Sequence, residues 1–173
     1  MLRCIELGLQ KMFVYGTLLK GQPNHHVLMN ANNGLSVFVG KARLTKKYPL
    51  VVASAYNVPY LLPLKGTGQE VHGEVYGVDS KMLRELDALE EHPEYYTRTP
   101  VSCMLTESED DTTVGQLLDC EVYFLFDYRE ELLSLPMLNR YDNYAPGQKQ
   151  YCSIESRDHP SMHDVKQRTQ RPT

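Results

Sequence analysis

The chain has 173 residues, 42% hydrophobic and 23% charged, with a formal net charge of −4. That length can bury a proper core without disulfide or metal staples, and the mild negative charge offers no basis for binding nucleic acid or an anionic membrane surface. No apolar run approaches the roughly 20 residues that cross a bilayer, and Arg3 and Glu6 interrupt the opening stretch, unlike the apolar region of a signal peptide. Cys4, Cys103, Cys120 and Cys152 are far apart in sequence, with no close pair of the kind that clamps zinc or forms a redox couple. Free thiols and a cytoplasmic location are therefore expected.

Residues 1–11 show no turn chemistry and no clear period, and read as a peripheral leader. The first strand is expected at Met12–Tyr15, where strand-forming residues run into Gly16, Thr17 and Leu18 without an obvious turn sequence. Backbone N–H groups that lose their ladder partners after such a glycine can converge on an anion or a carbonyl oxygen. An ordinary tight turn would use the same residues. Gly21 and Pro23 then break regular structure, and Asn24 can cap a short helix over His25–Met29 that Asn33-Gly34 stops.

From Leu35 through Val37 and Val39 to Ala42 and Leu44 the apolar alternation predicts a long strand with one buried face. Leu50–Ala53 is apolar throughout, so both of its faces are expected to be covered. Pro59 sits inside the strand-like run Asn57–Pro63, which demands an edge, a bulge or a tight bend. In the strand Glu70–Val78, Gly73 and Gly77 share a face, a sign of curvature or close packing. Asp79-Ser80 is a plausible N-cap for the strongest helix signal, Lys81–Glu91, closed by Pro93. Strands are expected at Tyr96–Met104 and Cys120–Phe126, separated by the acidic loop Glu107–Asp111, with one or two helical turns over Arg129–Leu135. Beyond Gln148 the composition turns polar and a disordered tail is expected. Six or seven strands and one good helix give an α+β fold, a single domain over 12–147 built on a curved, barrel-like mixed sheet.

The helix carries the sharpest chemical signal. At about 100° per residue, Glu90 projects between Leu83 and Leu86 on the apolar stripe. A carboxylate there meets both desolvation and the negative end of the helix dipole, and both raise its pKa. Glu90 is then a general acid/base tuned toward neutrality, a buried carboxylate satisfied by a nearby Tyr, Thr or backbone N–H, or a side chain that escapes to water where the helix frays. His25 and His26 diverge on a helix, and no HExxH pattern or paired cysteine joins them to His72 or His92, so no metal is expected. Thr17 as a nucleophile has no base beside it.

The runs Tyr15-Gly16-Thr17-Leu18, Lys20-Gly21-Gln22-Pro23-Asn24-His25, Tyr48-Pro49-Leu50-Val51, Asn57-Val58-Pro59-Tyr60-Leu61-Leu62, Val71-His72-Gly73-Glu74-Val75-Tyr76 and Leu83–Glu90 resemble the γ-glutamyl cyclotransferase-like (AIG2-like) family. The resemblance runs from about Met12 to Tyr128, with traces to Tyr144. It implies a small β-barrel with flanking short helices, no cofactor and no metal. It also implies a pocket in which Tyr15, Gly16, Thr17 and Leu18 hold a glutamyl group and Glu90 is the catalytic acid/base, with Pro59 and Tyr60 as candidate pocket walls. Tyr60 stands where relatives usually have Trp, and Tyr141–Gly147 follows the family pattern only in part. The activity implied is release of 5-oxoproline and a free amine such as lysine from γ-glutamylamines, for example ε-(γ-glutamyl)lysine; a monomer is expected, and charge and hydropathy give no reason to expect nucleic-acid or membrane partners. The alternatives are the same chemistry on γ-glutamyl amino acids or glutathione, or a binding module that keeps the pocket without catalysis.

Overall fold

In chain order the elements of the computed structural model are β1 (Gln10–Val14), α1 (His25–Met29), β2 (Ser36–Tyr48), β3 (Leu50–Ala53), β4 (Val58–Leu61), β5 (Gln69–Val78), α2 (Ser80–Leu89), β6 (Thr97–Glu107), β7 (Leu117–Phe124) and α3 (Met162–Val165). The structure describes residues 8–108, 113–160 and 162–166. Five strands close a barrel in the order β1-β5-β2-β6-β7. Neighbours run antiparallel except at the seam, where Met12 of β1 lies parallel to Glu121 of β7. Closure leaves the barrel without a free edge, and Met12, Leu44, Val71, Val75 and Val122 fill its core.

The alternation in β2 changes phase between Val39 and Ala42, from odd to even positions. A one-residue slip accounts for it: Phe38 pairs with Tyr76 but Gly40 with Val75, so Val39 is a bulge residue. The strand continues past Leu44 to Tyr48. In β5, Gly73 marks a close approach, since a Cβ there would stand 2.2 Å from the Val14 carbonyl oxygen and 2.7 Å from the Phe13 ring. β1 and β5 can lie that close only without a side chain at this position.

β3 and β4 form a separate hairpin, with Val52 opposite Pro59. Pro59 thus lies on a two-stranded ribbon, where a missing N–H is tolerated. The hairpin is tied to the barrel by the Leu125 N–H donating to the Leu61 carbonyl at 2.9 Å. Helix α2 is capped as expected: the Asp79 carboxylate accepts the Met82 N–H at 2.8 Å. Met82 and Leu86 are buried beneath it. It ends at Leu89, with Glu90 as its C-cap rather than inside its last turn. The turns expected over Arg129–Leu135 are a 3₁₀ helix, Glu130–Ser134.

Two expectations are corrected, the peripheral leader and the detached tail. The leader is not wholly peripheral, because Gln10 and Lys11 open β1 and pair with Val78 and Gly77; residues 1–7 lie outside the described residues, as do 109–112 of the acidic loop. Residues after Gln148 are not a detached tail as far as they are described. The Cys152 N–H donates to the Tyr56 carbonyl at 2.9 Å, the Val165 carbonyl accepts from the Arg129 N–H at 2.7 Å, and Val165 is buried. The domain therefore extends past 147. Cys103 and Cys120, distant in sequence, stand 3.4 Å apart through the β6–β7 pairing, both as free thiols. Among the described residues no helix is long and apolar enough to cross a membrane.

Candidate active site

β1 delivers the chain to a loop that is folded on itself. The Leu19 N–H donates to the Gly16 carbonyl at 3.1 Å and the Asn24 N–H to the Thr17 carbonyl at 2.9 Å. The Asn24 side chain donates to the Thr17 hydroxyl at 3.0 Å and to the Tyr151 hydroxyl at 3.2 Å. From the other side the Lys20 N–H donates to the Glu74 carboxylate at 3.0 Å, and the Tyr76 hydroxyl donates to the same oxygen. Glu74 is buried on β5, so these two hydrogen bonds pin the far end of the loop to the barrel wall. Gly16 is required by packing: a Cβ would lie 2.8 Å from Cγ of Pro59. The N–H groups of Thr17 and Leu18 make no hydrogen bond to another described residue, although both residues are buried. Buried backbone donators of this kind are rare in finished structures, and these two line a pocket.

The pocket is an open cleft that merges with solvent at its mouth and is lined by the Phe13–Leu18 loop, Pro59, Tyr95, Tyr96, Tyr123 and Tyr151. Glu90 lines it opposite the loop. Its position is set by the reversal that follows α2: Glu91 adopts φ 50, and the Tyr95 and Tyr96 N–H groups donate back to the Glu91 and Glu90 carbonyls at 2.8 and 3.3 Å. The Glu90 carboxylate accepts no hydrogen bond from another described residue, and its oxygens are not sealed from the pocket. Among the described residues no Tyr, Thr or backbone N–H satisfies this carboxylate; a pocket-facing acid/base and a side chain reaching water at the helix end both fit its placement. Burial raises its pKa to about 7, the neighbouring Glu91 charge adds to the rise, and the Arg157 guanidinium opposes it.

Tyrosines surround this carboxylate. Burial, with the Glu90 charge assisting, drives the Tyr15 and Tyr96 phenols well above their ordinary range, so both remain neutral. Their hydroxyls donate to the Tyr123 carbonyl at 2.9 Å and the Pro59 carbonyl at 3.2 Å. Tyr123 donates in turn to Asp87 at 2.6 Å, and Asp87 pairs with Arg98 at 2.9 Å. The rings are thus held in fixed orientations. Arg157, from the C-terminal segment, also lines the pocket with Tyr151 and Ile154.

The structure brings Tyr15, Gly16, Thr17, Leu18, Pro59 and Glu90 to this one pocket. Tyr60 is the exception and corrects the expectation of a second pocket wall. It is fully buried behind the pocket, stacked on Tyr96 at 5.8 Å between centroids, with its hydroxyl 2.8 Å from that of Tyr95. Strand alternation explains the placement, since Pro59 and Tyr60 are neighbours on β4 and point to opposite faces. Sequence reasoning missed Asn24, Tyr96, Tyr123, Tyr151 and Arg157. Asn24 was legible only as a helix cap, and nothing local marks the other four as neighbours of Glu90.

The closed barrel thus presents one pocket lined by the Tyr15–Leu18 loop, a ring of tyrosines and the Glu90 carboxylate. The chain belongs to the γ-glutamyl cyclotransferase, AIG2-like family, whose sequence model matches residues 12–145. It is 42% identical over 146 residues to γ-glutamylaminecyclotransferase of Mus musculus, covering 84% of this chain and 98% of the relative. It is 39% identical over 150 residues to γ-glutamylaminecyclotransferase of Homo sapiens, covering 84% and 98%. The crystal structure of an AIG2-like protein from Mus musculus superimposes with a TM-score of 0.81 at 40% identity, covering 86% of this chain and 99% of that one.

Proposed function

We propose that the protein is a γ-glutamylamine cyclotransferase that releases 5-oxoproline and a free amine, such as lysine, from conjugates like ε-(γ-glutamyl)lysine, in the breakdown of isopeptide cross-links. The observation that carries this reading is Glu90: a carboxylate without a hydrogen-bonded partner among the described residues, facing the pocket, with a pKa of about 7. The names of the mouse and human relatives support the same reaction.

A γ-glutamyl amide contains its own nucleophile. Its α-amino group lies where attack on the γ-carbonyl closes a five-membered ring, so no protein nucleophile is needed. As carboxylate, Glu90 accepts a proton from the α-ammonium. The freed nitrogen pair then forms the N–C bond at the γ-carbon, and the carbonyl pair moves onto oxygen. The Thr17 and Leu18 N–H groups, unpaired within the described residues, are the donors available to that oxyanion. When the C–N bond to the leaving amine breaks, Glu90 returns the proton to its nitrogen; the second proton of the former α-amino nitrogen passes through the same carboxylate to the amine, which departs as an ammonium and leaves a neutral lactam N–H. A group with a pKa close to the working pH performs both transfers with little penalty either way. The fixed tyrosine walls hold the glutamyl chain folded, and ring closure from such a near-attack geometry gains effective molarities of about 10⁵–10⁸ M. The free thiols of Cys103, Cys120 and Cys152 support a reducing, cytoplasmic setting.

The test is a substrate panel. Purified protein incubated with ε-(γ-glutamyl)lysine, γ-glutamyl-alanine and glutathione is assayed for 5-oxoproline, and the first compound is expected to turn over with the highest kcat/KM. Turnover of only the second or third assigns the chemistry to a different substrate, and turnover of none contradicts the enzyme.

A further inference from the structure

The family match ends at residue 145, yet the pocket does not. Its outer wall is built by Tyr151, Ile154 and Arg157. Tyr151 and Ile154 also line an adjoining open cleft, together with Asn24, His26, Leu89 and Glu155. Arg157 is the single Lys, Arg or His among the described residues lining the inner pocket. Its guanidinium is pre-positioned: Nε and Nη2 both donate to the Cys152 carbonyl at 3.1 Å, and the group lies 5.2 Å from the centroids of both Tyr56 and Tyr151. A guanidinium stacked between two rings loses little freedom on meeting an anion.

The geometry points to Arg157 as a specificity residue that binds a carboxylate on the amine half of the substrate. This rests on the cyclotransferase reading above. In that reading the glutamyl half occupies the end formed by the Tyr15–Leu18 loop and Glu90, so the leaving amine extends toward the wall formed by 151–157 and the adjoining cleft. A lysine leaving group carries an α-carboxylate into that region, whereas a simple alkylamine or diamine carries none. The preferred substrates are therefore conjugates of amino acids through a side-chain amine, and the selecting group lies outside the part of the chain that the family match covers.

The experiment uses the purified full chain and two matched conjugates, ε-(γ-glutamyl)lysine and mono-γ-glutamylcadaverine, which differ only in the leaving-group carboxylate. The readout is the ratio of their kcat/KM values for 5-oxoproline release. Wild type is expected to favour the lysine conjugate. Arg157→Gln lowers that ratio ~10-fold, about 1.4 kcal/mol, with the loss carried by KM for the lysine conjugate, and Arg157→Lys keeps part of the preference. An unchanged ratio in Arg157→Gln overturns the inference, whether activity is intact or falls equally on both conjugates; an equal fall would assign Arg157 to the glutamyl half or to the wall alone. Wild-type silence on both conjugates contradicts the cyclotransferase reading itself, and the inference falls with it.

Discussion

In the proposed mechanism Glu90 takes a proton and gives it back within one turnover, so the pH at which it changes charge sets the working range. Its pKa is raised from 4.5 to about 7, by burial first and then by the charge of Glu91. Because the reaction starts from the carboxylate, kcat/KM should fall with unit slope as pH drops below about 7, not below about 4.5. A profile of 5-oxoproline release from pH 3.5 to 9 checks this, and an acid limb centred near 4.5 would contradict the raised pKa of Glu90. Helical projection placed Glu90 among apolar residues, and that much was legible in sequence. Its position as a C-cap, and the reversal at Glu91 that turns it to the pocket, were not. They depend on hydrogen bonds from Tyr95 and Tyr96 that no periodicity reports.

At the scale of elements, β1 and β5 determine where the donor loop sits. Gly73 lets the two strands approach, and Glu74, next on β5, receives the Lys20 N–H that fixes the loop. The pair of glycines in this strand already signalled curvature or a close contact. Which strand made the contact was beyond sequence, because the β1–β5 register joins residues about sixty apart, Val14 with Glu74. Gly73→Ala puts a methyl group 2.2 Å from the Val14 carbonyl oxygen, a backbone atom that cannot swing aside. Overpacking against an immobile partner costs about 2 kcal/mol or more. The variant should unfold at a clearly lower urea midpoint and, where it remains folded, release 5-oxoproline more slowly as the loop is displaced. A wild-type midpoint would contradict the close approach.

For the whole molecule, the α+β class, the curved mixed sheet and the strand order along the chain followed from alternation, turn residues and one amphipathic helix. The barrel was expected from the curved sheet and from the family resemblance, but the strands that close it were not. The β1–β7 seam is a parallel contact between chain-distant strands, and long-range pairing leaves no local signature. The same limit explains Cys103 and Cys120, which sequence spacing separates and the β6–β7 register brings together. It also explains the C-terminal segment. Polar composition after Gln148 reads as a tail, but Tyr151, Cys152 and Val165 each find a site on a surface that exists only once the barrel and hairpin are assembled. Tyr60 and Pro59 show the converse, since their motif was plain and only the strand's orientation decided which of them reaches the pocket.

The central claim is that this assembly exists to hold one proton-transferring carboxylate against the bound γ-glutamyl chain. Glu90→Gln tests it most directly, because the swap keeps the shape of the side chain and removes its ability to shuttle a proton. With ε-(γ-glutamyl)lysine as substrate and the fold verified by thermal unfolding, the variant should release 5-oxoproline at least ~100-fold more slowly than wild type. A folded Glu90→Gln protein with turnover close to wild type would contradict the account.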